Sequence, residues 1–292
     1  MQSKKLYGKP VSKQIKESLS LKISKLSKHG IIPKLSAILV GNDPASKIYV
    51  SSKHKTFITF NCLSDIHELP EKSNDQDVCN LIEKLNNDKS VHGILLQLPL
   101  PNHLDSKKIL DCISPKKDVD GLHPMNLGNL LQGNPEFIPC TPFGCIEILK
   151  YYNIEVESKH IVIIGRSNLV GKPLMALLCQ KFDIGNSTVT ICHSHTKNLS
   201  YHTLNADIII VAVGVPKLLT SNMVKENSVV IDVGINRIDD NSEKGYNIVG
   251  DADYDNLINK VKGITPVPGG VGPMTITMLL NNTVSSAEKT II

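Results

Sequence analysis

Hydrophobic and polar positions alternate along the chain between helical spacing and short apolar runs. Near the amino terminus, apolar residues recur at three- and four-residue steps at Val11, Ile15, Leu19, Ile23 and Leu26. This spacing predicts an amphipathic helix that begins near Pro10 and ends before Gly30. The same kind of pattern predicts helices over residues 45–60 and around residues 78–85.

Continuous apolar runs predict the strands. They fall at residues 36–40 and 91–96 in the first half, and at residues 161–164, 188–192, 208–213 and 229–233 in the second. Runs of this kind are typical of parallel strands that are buried on both faces, and helical patterns lie between them. We therefore expect an α/β protein with two open α/β units, the second of them a doubly wound Rossmann-type unit with a parallel sheet.

The unit boundary is expected near residues 139–142, after a loop rich in Gly, Asn and Pro. Residues 1–138 form the first predicted domain and residues 139–273 the second. A helix over about residues 274–287 closes the chain, and we expect the segment 274–292 to pack back on the first domain.

Composition narrows the class of protein. The chain has 292 residues, of which 41% are hydrophobic and 21% charged, with a net charge of +4 and no Trp. These values exclude wholesale disorder, and the absence of a basic block interleaved with aromatics argues against nucleic acid as the main partner. The longest apolar run, residues 208–215, is far shorter than the roughly 20 residues of a membrane helix.

The amino terminus and the cysteines indicate a compartment. The first ten residues contain no apolar segment typical of a secretory signal. The seven cysteines are odd in number, widely spaced and without a CxxC pair. We therefore expect reduced thiols and a cytoplasmic protein.

A glycine-rich turn follows the strand over residues 161–164. The turn runs from Gly165 to Gly171 and precedes a helical pattern, which is a context in which backbone N–H groups bind phosphate. The spacing is not GxGxxG, and a tight turn without a ligand is an equal alternative. The next strand ends in Cys192-His-Ser-His195 without a carboxylate for a ribose 2′-OH, whereas Arg166 offers a cation for a 2′-phosphate. The pattern favours NADP over NAD.

Two histidines at this strand end are candidate metal ligands. His193 and His195 lie on one face of an extended chain, but no third ligand follows at a suitable spacing. We expect a polar strand end and no metal site.

A second candidate site lies in the first half. Tyr49 and Lys53 are one helical turn apart, and a phenol beside an amine can position a substrate and move protons. A surface lysine packed on an aromatic ring is the alternative. The YxxxK spacing also occurs in short-chain dehydrogenases, but those enzymes carry the glycine-rich turn before this pair, and here it comes after.

Two further segments carry polar groups near predicted strand or helix ends. Gln97 follows an apolar strand, so its amide either faces a ligand or holds the turn that Pro99 and Pro101 form. Residues 265–275 are too rich in Pro and Gly for regular structure and open a helix near Pro273. This loop either lines a site or serves as a linker.

With these residues in view, the chain resembles the bifunctional methylenetetrahydrofolate dehydrogenase/methenyltetrahydrofolate cyclohydrolase family. The matching stretches, in order, are Tyr49-Val-x-x-Lys53, Gln97-Leu-Pro-Leu-Pro101, Lys117-Asp-Val-Asp120-Gly-Leu-His, Pro139-Cys-Thr-Pro142, Gly165-Arg-Ser, Cys192-His-Ser, Ile231-Asp-Val-Gly-Ile-Asn236 and Pro266-Val-Pro-Gly-Gly-Val-Gly-Pro-Met-Thr275. They span most of the chain, and their combination and order are specific to the family.

The resemblance implies two α/β domains that form a cleft, a homodimer, and two consecutive reactions in one-carbon metabolism. A hydride passes from 5,10-methylenetetrahydrofolate to NADP+, and water then opens 5,10-methenyltetrahydrofolate to 10-formyltetrahydrofolate. By the same resemblance, Lys53 is the catalytic lysine with Gln97 beside it, Tyr49 orients the folate and Asp120 binds the pterin. Residues of the folate-side loop are Pro268, Gly269, Gly270, Val271, Gly272, Pro273, Met274, Thr275 and Ile276. Residues on cofactor-binding positions are Gly165, Arg166, Ser167, Ser194 and Ile235.

The chain departs from the family pattern in two places. Residues 55–62 lack the glycine that usually closes this segment, and residues 182–187 are slightly expanded.

Two other functions are alternatives: a folate- or NADP-binding protein without turnover, and an unrelated NADP-dependent dehydrogenase. The retained Tyr49, Lys53, Gln97 and Asp120 argue against the first, and the second leaves Gln97 and the loop at residues 268–276 without a purpose.

Overall fold

The computed structural model describes residues 4–181, 183–240 and 245–291, which form two compact units. The six-stranded unit contains the residues up to Gln14 together with Thr141–Thr275. The three-stranded unit contains Ile15–Cys140 and the residues from Ile276 onward. Both units are built on parallel sheets, so the predicted α/β class is confirmed.

The first half of the chain alternates helices and strands, and most elements lie within a few residues of their predicted bounds. In order they are β1 (Lys4–Lys5), α1 (Gly8–Lys28), β2 (Lys34–Val40), α2 (Pro44–Thr59), β3 (Leu63–Leu69), α3 (Asp75–Asn87), β4 (Gly93–Leu96), α4 (Ser106–Leu110) and α5 (Pro124–Gln132).

The second half continues the alternation and ends in a long helix. In order the elements are α6 (Cys140–Tyr151), β5 (His160–Ile164), α7 (Gly171–Cys179), β6 (Thr188–Cys192), α8 (Leu199–Thr203), β7 (Ile208–Val211), a 3-10 turn (Ser221–Met223), β8 (Val229–Asp232), β9 (Asn236–Asp239), β10 (Tyr246–Val249), α9 (Tyr254–Leu257), β11 (Gly263–Ile264) and α10 (Gly272–Glu288).

The three-stranded unit has the parallel strand order β3-β2-β4. Ile38 of β2 pairs with Leu96 of β4, and both side chains are buried against Val78 and Ile82 of α3. This apolar layer holds the carboxyl end of β4 in a fixed place, and Gln97 follows directly after it.

The six-stranded unit has the parallel strand order β1-β11-β8-β7-β5-β6. Its core includes Val162, Ile209 and Val230, one from each of the three central strands, all with no exposed surface. The carboxyl ends of β5, β6 and β8 lie on one edge because the strands are parallel, and that edge is where open α/β sheets bind ligands.

The amino-terminal residues differ from the predicted domain division. The first 14 residues belong to the six-stranded unit, although residues 1–138 were predicted as one domain. The reason is backbone pairing, since β1 adds to the sheet edge beside β11, with Lys4 paired to Gly263. A strand of two exposed lysines leaves no hydrophobic pattern for a sequence-based prediction.

Strand β3 is a second element that the hydrophobic pattern did not predict. Its sequence, Leu63-Ser-Asp-Ile-His-Glu-Leu69, places two polar residues between successive apolar ones instead of forming a continuous apolar run. The strand lies at the edge of the sheet, and six of its seven residues are exposed or only partly buried, so it needs no continuous apolar run.

The cysteines also differ from the expectation of fully reduced thiols. Cys79 and Cys112 form a disulfide across 33 residues, while the other five cysteines are free. The two residues meet because α3 packs beside the turn after α4. Asn86 of α3 donates from Nδ2 to the Cys112 carbonyl over 2.8 Å and accepts from the Ser114 N–H over 2.9 Å.

The atypical segment after Lys53 is closed without glycine. Helix α2 runs to Thr59, and Asn61 takes the left-handed conformation with φ of 56°. Asparagine tolerates this region better than most residues, which explains how the chain turns here. In the second atypical segment, Phe182 lies outside the described residues. No helix in the described part of the chain is long and apolar enough to cross a membrane.

Candidate active site

Lys53 and Gln97 meet in the three-stranded unit. Nζ of Lys53 on α2 donates to Oε1 of Gln97 over 2.9 Å. Gln97 is 8% exposed, its backbone N–H donates to the Ile38 carbonyl over 2.9 Å, and its Nε2 donates to the Leu98 carbonyl over 2.6 Å. Gln97 therefore holds the turn that leads to the cis Leu98–Pro99 bond and at the same time directs its amide oxygen at the lysine.

The environment of Lys53 favours the neutral amine. Burial lowers the pKa of Lys53 from its ordinary value, and the charge on Asp120 opposes that shift in part. A lysine in this setting has a larger neutral fraction near neutral pH than a solvated one, so it can accept a proton.

Tyr49 lies one turn before Lys53 on α2, as the spacing predicted. The helix begins at Pro44, and the carboxylate of Asp43 caps it by accepting from the Ser46 N–H over 2.7 Å. The Tyr49 side chain is 45% exposed. A partly exposed phenol ring offers a flat face against which a planar heterocycle can stack.

The turn that contains Asp120 is held by Asp118. The buried Asp118 carboxylate accepts from the N–H groups of Leu122 and His123, over 3.2 and 2.8 Å, and from Nδ2 of Asn126 over 2.7 Å. Burial raises the pKa of Asp118 to about 6. Asp118 therefore holds this turn and leaves the Asp120 side chain free of that role.

Asp120 lies beside Cys140 and within electrostatic reach of Lys53. Its carboxylate is hydrogen-bonded to the Cys140 thiol. The pKa of this thiol is raised well above its usual range, mainly by burial and secondly by the charge on Asp120. Sγ of Cys140 also lies 3.5 Å from the Val119 carbonyl oxygen, so its single proton is shared between two acceptors. The thiol therefore stays protonated and serves as a donor to the Asp120 turn.

The glycine-rich turn after β5 is built for close backbone approach. Gly165 has φ of +121°, and a Cβ there would lie 2.3 Å from the Ala212 carbonyl oxygen. A Cβ on Gly171 would lie 2.1 Å from the Gly165 carbonyl oxygen, so both positions require glycine. Between them, Ser167 accepts from the Val170 N–H through its Oγ over 3.1 Å.

The predicted cofactor residues follow three strands of the parallel sheet, at the same edge. Arg166 and Ser167 follow β5, Ser194 follows β6, and Ile235 follows β8 with its side chain 51% exposed. A backbone cradle at the start of α7, an exposed arginine and exposed hydroxyls fit a dinucleotide that carries an extra phosphate.

His193 and His195 form the polar end of β6. The His195 N–H donates to Nδ1 of His193 over 3.2 Å, and the ring centroids are 6.1 Å apart. Desolvation, Arg166 and His195 lower the pKa of His193, which places the arginine charge near this strand end. Among residues 4–181, 183–240 and 245–291, no group of three or more His, Cys, Asp or Glu side chains is placed to hold a metal ion.

Two buried carboxylates hold the loops around Ile235. Asp251 accepts from the N–H groups of Val213 and Gly214 over 2.6 and 3.0 Å, and from Nδ2 of Asn236 over 2.8 Å. Asp232 accepts from the N–H groups of residues 234, 251 and 252, and burial raises its pKa to about 6. Sequence reasoning missed both residues, as it missed Cys140, because most of their partners are distant in sequence.

The loop at residues 268–276 is packed against the amino-terminal segment. The Gly8 N–H donates to the Gly269 carbonyl over 2.9 Å, and a Cβ on Gly8 would lie 2.0 Å from the Gly270 carbonyl oxygen. Oγ1 of Thr275 lies 3.3 Å from Oγ1 of Thr141. The loop belongs to the six-stranded unit up to Thr275, whereas Ile276 belongs to the three-stranded unit.

The structure thus brings Lys53, Gln97 and Asp120 together in the three-stranded unit, with Tyr49 one turn from Lys53. It gathers the predicted cofactor residues on the six-stranded unit.

Comparison with known proteins matches both halves of the chain to family models. Residues 6–120 match "Tetrahydrofolate dehydrogenase/cyclohydrolase, catalytic domain", and residues 139–291 match "Tetrahydrofolate dehydrogenase/cyclohydrolase, NAD(P)-binding domain". A relative from Chlamydia felis, "Bifunctional protein FolD", is 50% identical over 285 residues, with 97% of this chain and 98% of the relative covered.

Solved structures match over the same length. The bifunctional FolD methylenetetrahydrofolate dehydrogenase/cyclohydrolase from Campylobacter jejuni is 49% identical with a TM-score of 0.92, covering 98% of this chain and 99% of that chain. The Trypanosoma brucei enzyme, complexed with NADP cofactor and inhibitor, is 33% identical with a TM-score of 0.93, covering 100% and 99% of the two chains.

Proposed function

The chain belongs to the tetrahydrofolate dehydrogenase/cyclohydrolase family, and from this we propose how its residues divide the two reactions. It is a bifunctional one-carbon folate enzyme with NADP as cofactor. It oxidises 5,10-methylenetetrahydrofolate to 5,10-methenyltetrahydrofolate and hydrolyses that product to 10-formyltetrahydrofolate.

The pterin-binding residues Asp120 and Tyr49 belong to the three-stranded unit, and the residues assigned to the cofactor belong to the six-stranded unit. The Asp120 carboxylate accepts hydrogen bonds from the donor-rich edge of the pterin, and the Tyr49 ring stacks on the folate. Asp118 supports the first assignment because it holds the turn that presents Asp120. Residues 268–276, with their closely packed glycines, are assigned to the folate side.

In the dehydrogenase step, bound NADP+ accepts the hydride of the one-carbon bridge. Gly165 lets the backbone approach the cofactor phosphates, Arg166 with Ser167 and Ser194 binds the 2′-phosphate, and Ile235 contributes an apolar contact. No proton leaves the folate in this step, so these residues act by positioning.

In the cyclohydrolase step, Lys53 manages the protons. Its neutral amine accepts a proton from water as oxygen attacks the methenyl carbon. The ammonium then returns a proton to the ring nitrogen as the bond between that nitrogen and the carbon breaks, and the remaining hydroxyl proton passes to solvent as the formyl C=O forms. Gln97 holds the amine in place throughout, since its oxygen accepts from either protonation state. The observation that carries this assignment is the 2.9 Å contact between Lys53 and Gln97, which is buried beside Asp120.

A two-stage assay tests the assignment. NADPH formation from methylenetetrahydrofolate and NADP+ reports the first step, and decay of added methenyltetrahydrofolate above the rate without enzyme reports the second. Loss of the second activity in a Lys53 variant that still forms NADPH supports the division of roles.

We also propose a homodimer in the cytoplasm. Strand β3 lies at an edge of its sheet and carries Leu63 and Ile66, 47% and 37% exposed, which suits burial against a second copy. Light scattering on the parent and on Ile66→Lys tests the dimer. Cell fractionation combined with labelling of Cys79 and Cys112 tests the location: reduced thiols in the cytoplasmic fraction support it, and the Cys79–Cys112 disulfide in isolated protein contradicts it.

A further inference from the structure

Asn282 is a buried amide in an apolar part of α10. It is 3% exposed, and its neighbours Leu279, Leu280 and Val284 are buried with it. An amide in such a place costs stability unless its hydrogen-bonding groups find partners. Its partners therefore show what the residue is for.

Both N–H groups of Asn282 reach other segments of the chain. Nδ2 donates to the Val119 carbonyl over 2.8 Å and to the Ile138 carbonyl over 2.9 Å. Sγ of Cys140 lies 3.9 Å from the same nitrogen. One side-chain amide thus joins the residue before Asp120 to the segment that ends at Cys140.

The turn that follows Val119 and the segment that ends at Cys140 are closely packed. Gly121 has φ of +73°, and a Cβ there would lie 2.8 Å from the backbone nitrogen of Pro139. The Val119 carbonyl accepts from both Asn282 and Cys140, which occupies both of its lone pairs. A shift of Val119 away from Ile138 would therefore carry Asp120 away from Cys140 and Lys53.

We propose that Asn282 is a positioning residue for the folate chemistry. Its amide holds the carbonyls of Val119 and Ile138 together and thereby places the Asp120 carboxylate against the pterin and beside Lys53. This inference rests on the proposed role of Asp120, and it adds a residue of α10 that touches no reacting atom.

The test is a double-variant cycle on tetrahydrofolate binding, measured by titration calorimetry. Asn282→Leu keeps the volume and removes the donors, so tetrahydrofolate affinity should fall roughly tenfold, as expected for the loss of buried hydrogen bonds. Asp120→Asn should lower the affinity at least as much, and the double variant should bind no more weakly than Asp120→Asn alone. Independent, additive losses would overturn the proposal.

The pH profile of the cyclohydrolase gives a readout that a purely structural residue would not move. The titratable groups beside Lys53 are Asp120 and Cys140; the thiol stays protonated, so the Asp120 carboxylate is the charge that raises the Lys53 pKa. Displacing the Asp120 carboxylate should shift the ascending limb of the profile to lower pH. Asn282→Leu should move it in the same direction as Asp120→Asn, and an unmoved limb would contradict the proposal.

A matched control is available at the next residue. Thr283 has no exposed surface, and its Oγ1 donates within the helix to the Leu279 carbonyl over 2.8 Å. Thr283→Val should leave both the tetrahydrofolate affinity and the pH limb unchanged. Equal effects from Thr283→Val would show that any polar loss in α10 suffices and would overturn the proposal.

The outcomes separate this inference from the proposed function. An Asp120→Asn enzyme with parent affinity shows that Asp120 does not bind folate, and both then fail. A weakened Asp120→Asn enzyme beside an unaffected Asn282→Leu enzyme overturns the positioning role alone. NADP+ affinity and thermal unfolding show whether each variant is folded. Asn282→Ser, which keeps one hydrogen-bond donor, should lose less tetrahydrofolate affinity than Asn282→Leu. If neither Asn282 variant folds, the residue serves folding and the proposal is wrong.

Discussion

The Lys53 amine and the Gln97 amide oxygen are joined by a 2.9 Å hydrogen bond between α2 and the end of β4. Gln97 has no freedom to turn away, because its backbone N–H and its Nε2 are both engaged, with Ile38 and Leu98. The proton-handling amine is therefore oriented by a neutral acceptor that does not raise its pKa as a carboxylate would.

Replacing Lys53 with Met should separate the two activities. Met is similar in length but has no amine, so cyclohydrolysis should fall by about 10²–10⁴-fold, the usual contribution of an acid–base group. Dehydrogenation should survive in part because it transfers no proton, and methenyltetrahydrofolate should accumulate as an absorbing product. Lys55→Met, an exposed lysine of the same helix, should retain both activities. Hydrolysis by Lys53→Met at the parent rate would exclude Lys53 as the proton-handling group.

Cyclohydrolase activity should rise with pH. The neutral form of Lys53 is the active one, and burial lowers the Lys53 pKa, so the rate should increase until pH exceeds that lowered pKa and then level off. The dehydrogenase step should show no such rise at saturating substrates. Initial rates of both steps across a pH series, in buffers of constant ionic strength, check this. An ascending limb in both steps alike would instead indicate titration of substrate binding.

Asp120→Asn should weaken folate binding without unfolding the turn. The turn is held by Asp118, so it persists, but the amide replaces acceptors with donors against the pterin. Loss of a charge-assisted hydrogen bond corresponds to roughly 10- to 150-fold in tetrahydrofolate affinity. Asp111→Asn, an exposed carboxylate after α4, serves as the control and should bind normally. Parent affinity in Asp120→Asn would remove Asp120 from the folate site.

Arg166→Ala should reduce NADP+ affinity and leave NAD+ affinity nearly unchanged. The arginine is exposed at the end of β5 and its charge reaches the end of β6, so it suits the phosphate that distinguishes the two cofactors. The expected loss is roughly 10- to 150-fold for NADP+. Arg237→Ala, at the chain's other arginine, stacked 4.1 Å from the Tyr246 ring, is the matched control. Equal losses for both cofactors would show that Arg166 is structural.

Local patterns predicted the elements that bury apolar surface, and missed those defined by pairing or tertiary contact. Helices α2 and α10 and the strands β5 to β8 follow the hydrophobic pattern because their own residues form the core. Strands β1 and β11, two residues each, exist only through their backbone pairing. No local signal reports such a partner.

The candidate site shows the same division. Gln97 and Lys53 were predicted because each ends or lines a recognisable element, whereas Cys140 acts through partners on other segments, Val119 and Asn282. For Asn282 no local signal was present, since it stands between Asn281 and Thr283 in a partly polar stretch of the helix. Its burial and its partners depend on tertiary structure, which the sequence pattern does not contain.

Removing the Cys79–Cys112 disulfide should lower thermal stability and leave catalysis unchanged. A bond across 33 residues restricts the unfolded chain and stabilises the fold by roughly 3–4 kcal/mol, which corresponds to a melting temperature about 5–10 °C higher. Because Asn86 also joins the same two segments, the folded state should persist when the bond is reduced. Thermal unfolding of the parent with and without a phosphine reductant, compared with the Cys79→Ser, Cys112→Ser double variant, checks this.

The reductant should lower the melting temperature of the parent to that of the double variant and have no effect on the double variant itself. Cys179→Ser, which removes an exposed free thiol, is the control and should respond to the reductant as the parent does. Alkylation followed by mass spectrometry should label Cys79 and Cys112 only after reduction. If both are labelled in the untreated folded enzyme and the reductant changes nothing, the bond does not form in solution, and the reduced thiols expected from the sequence are then correct.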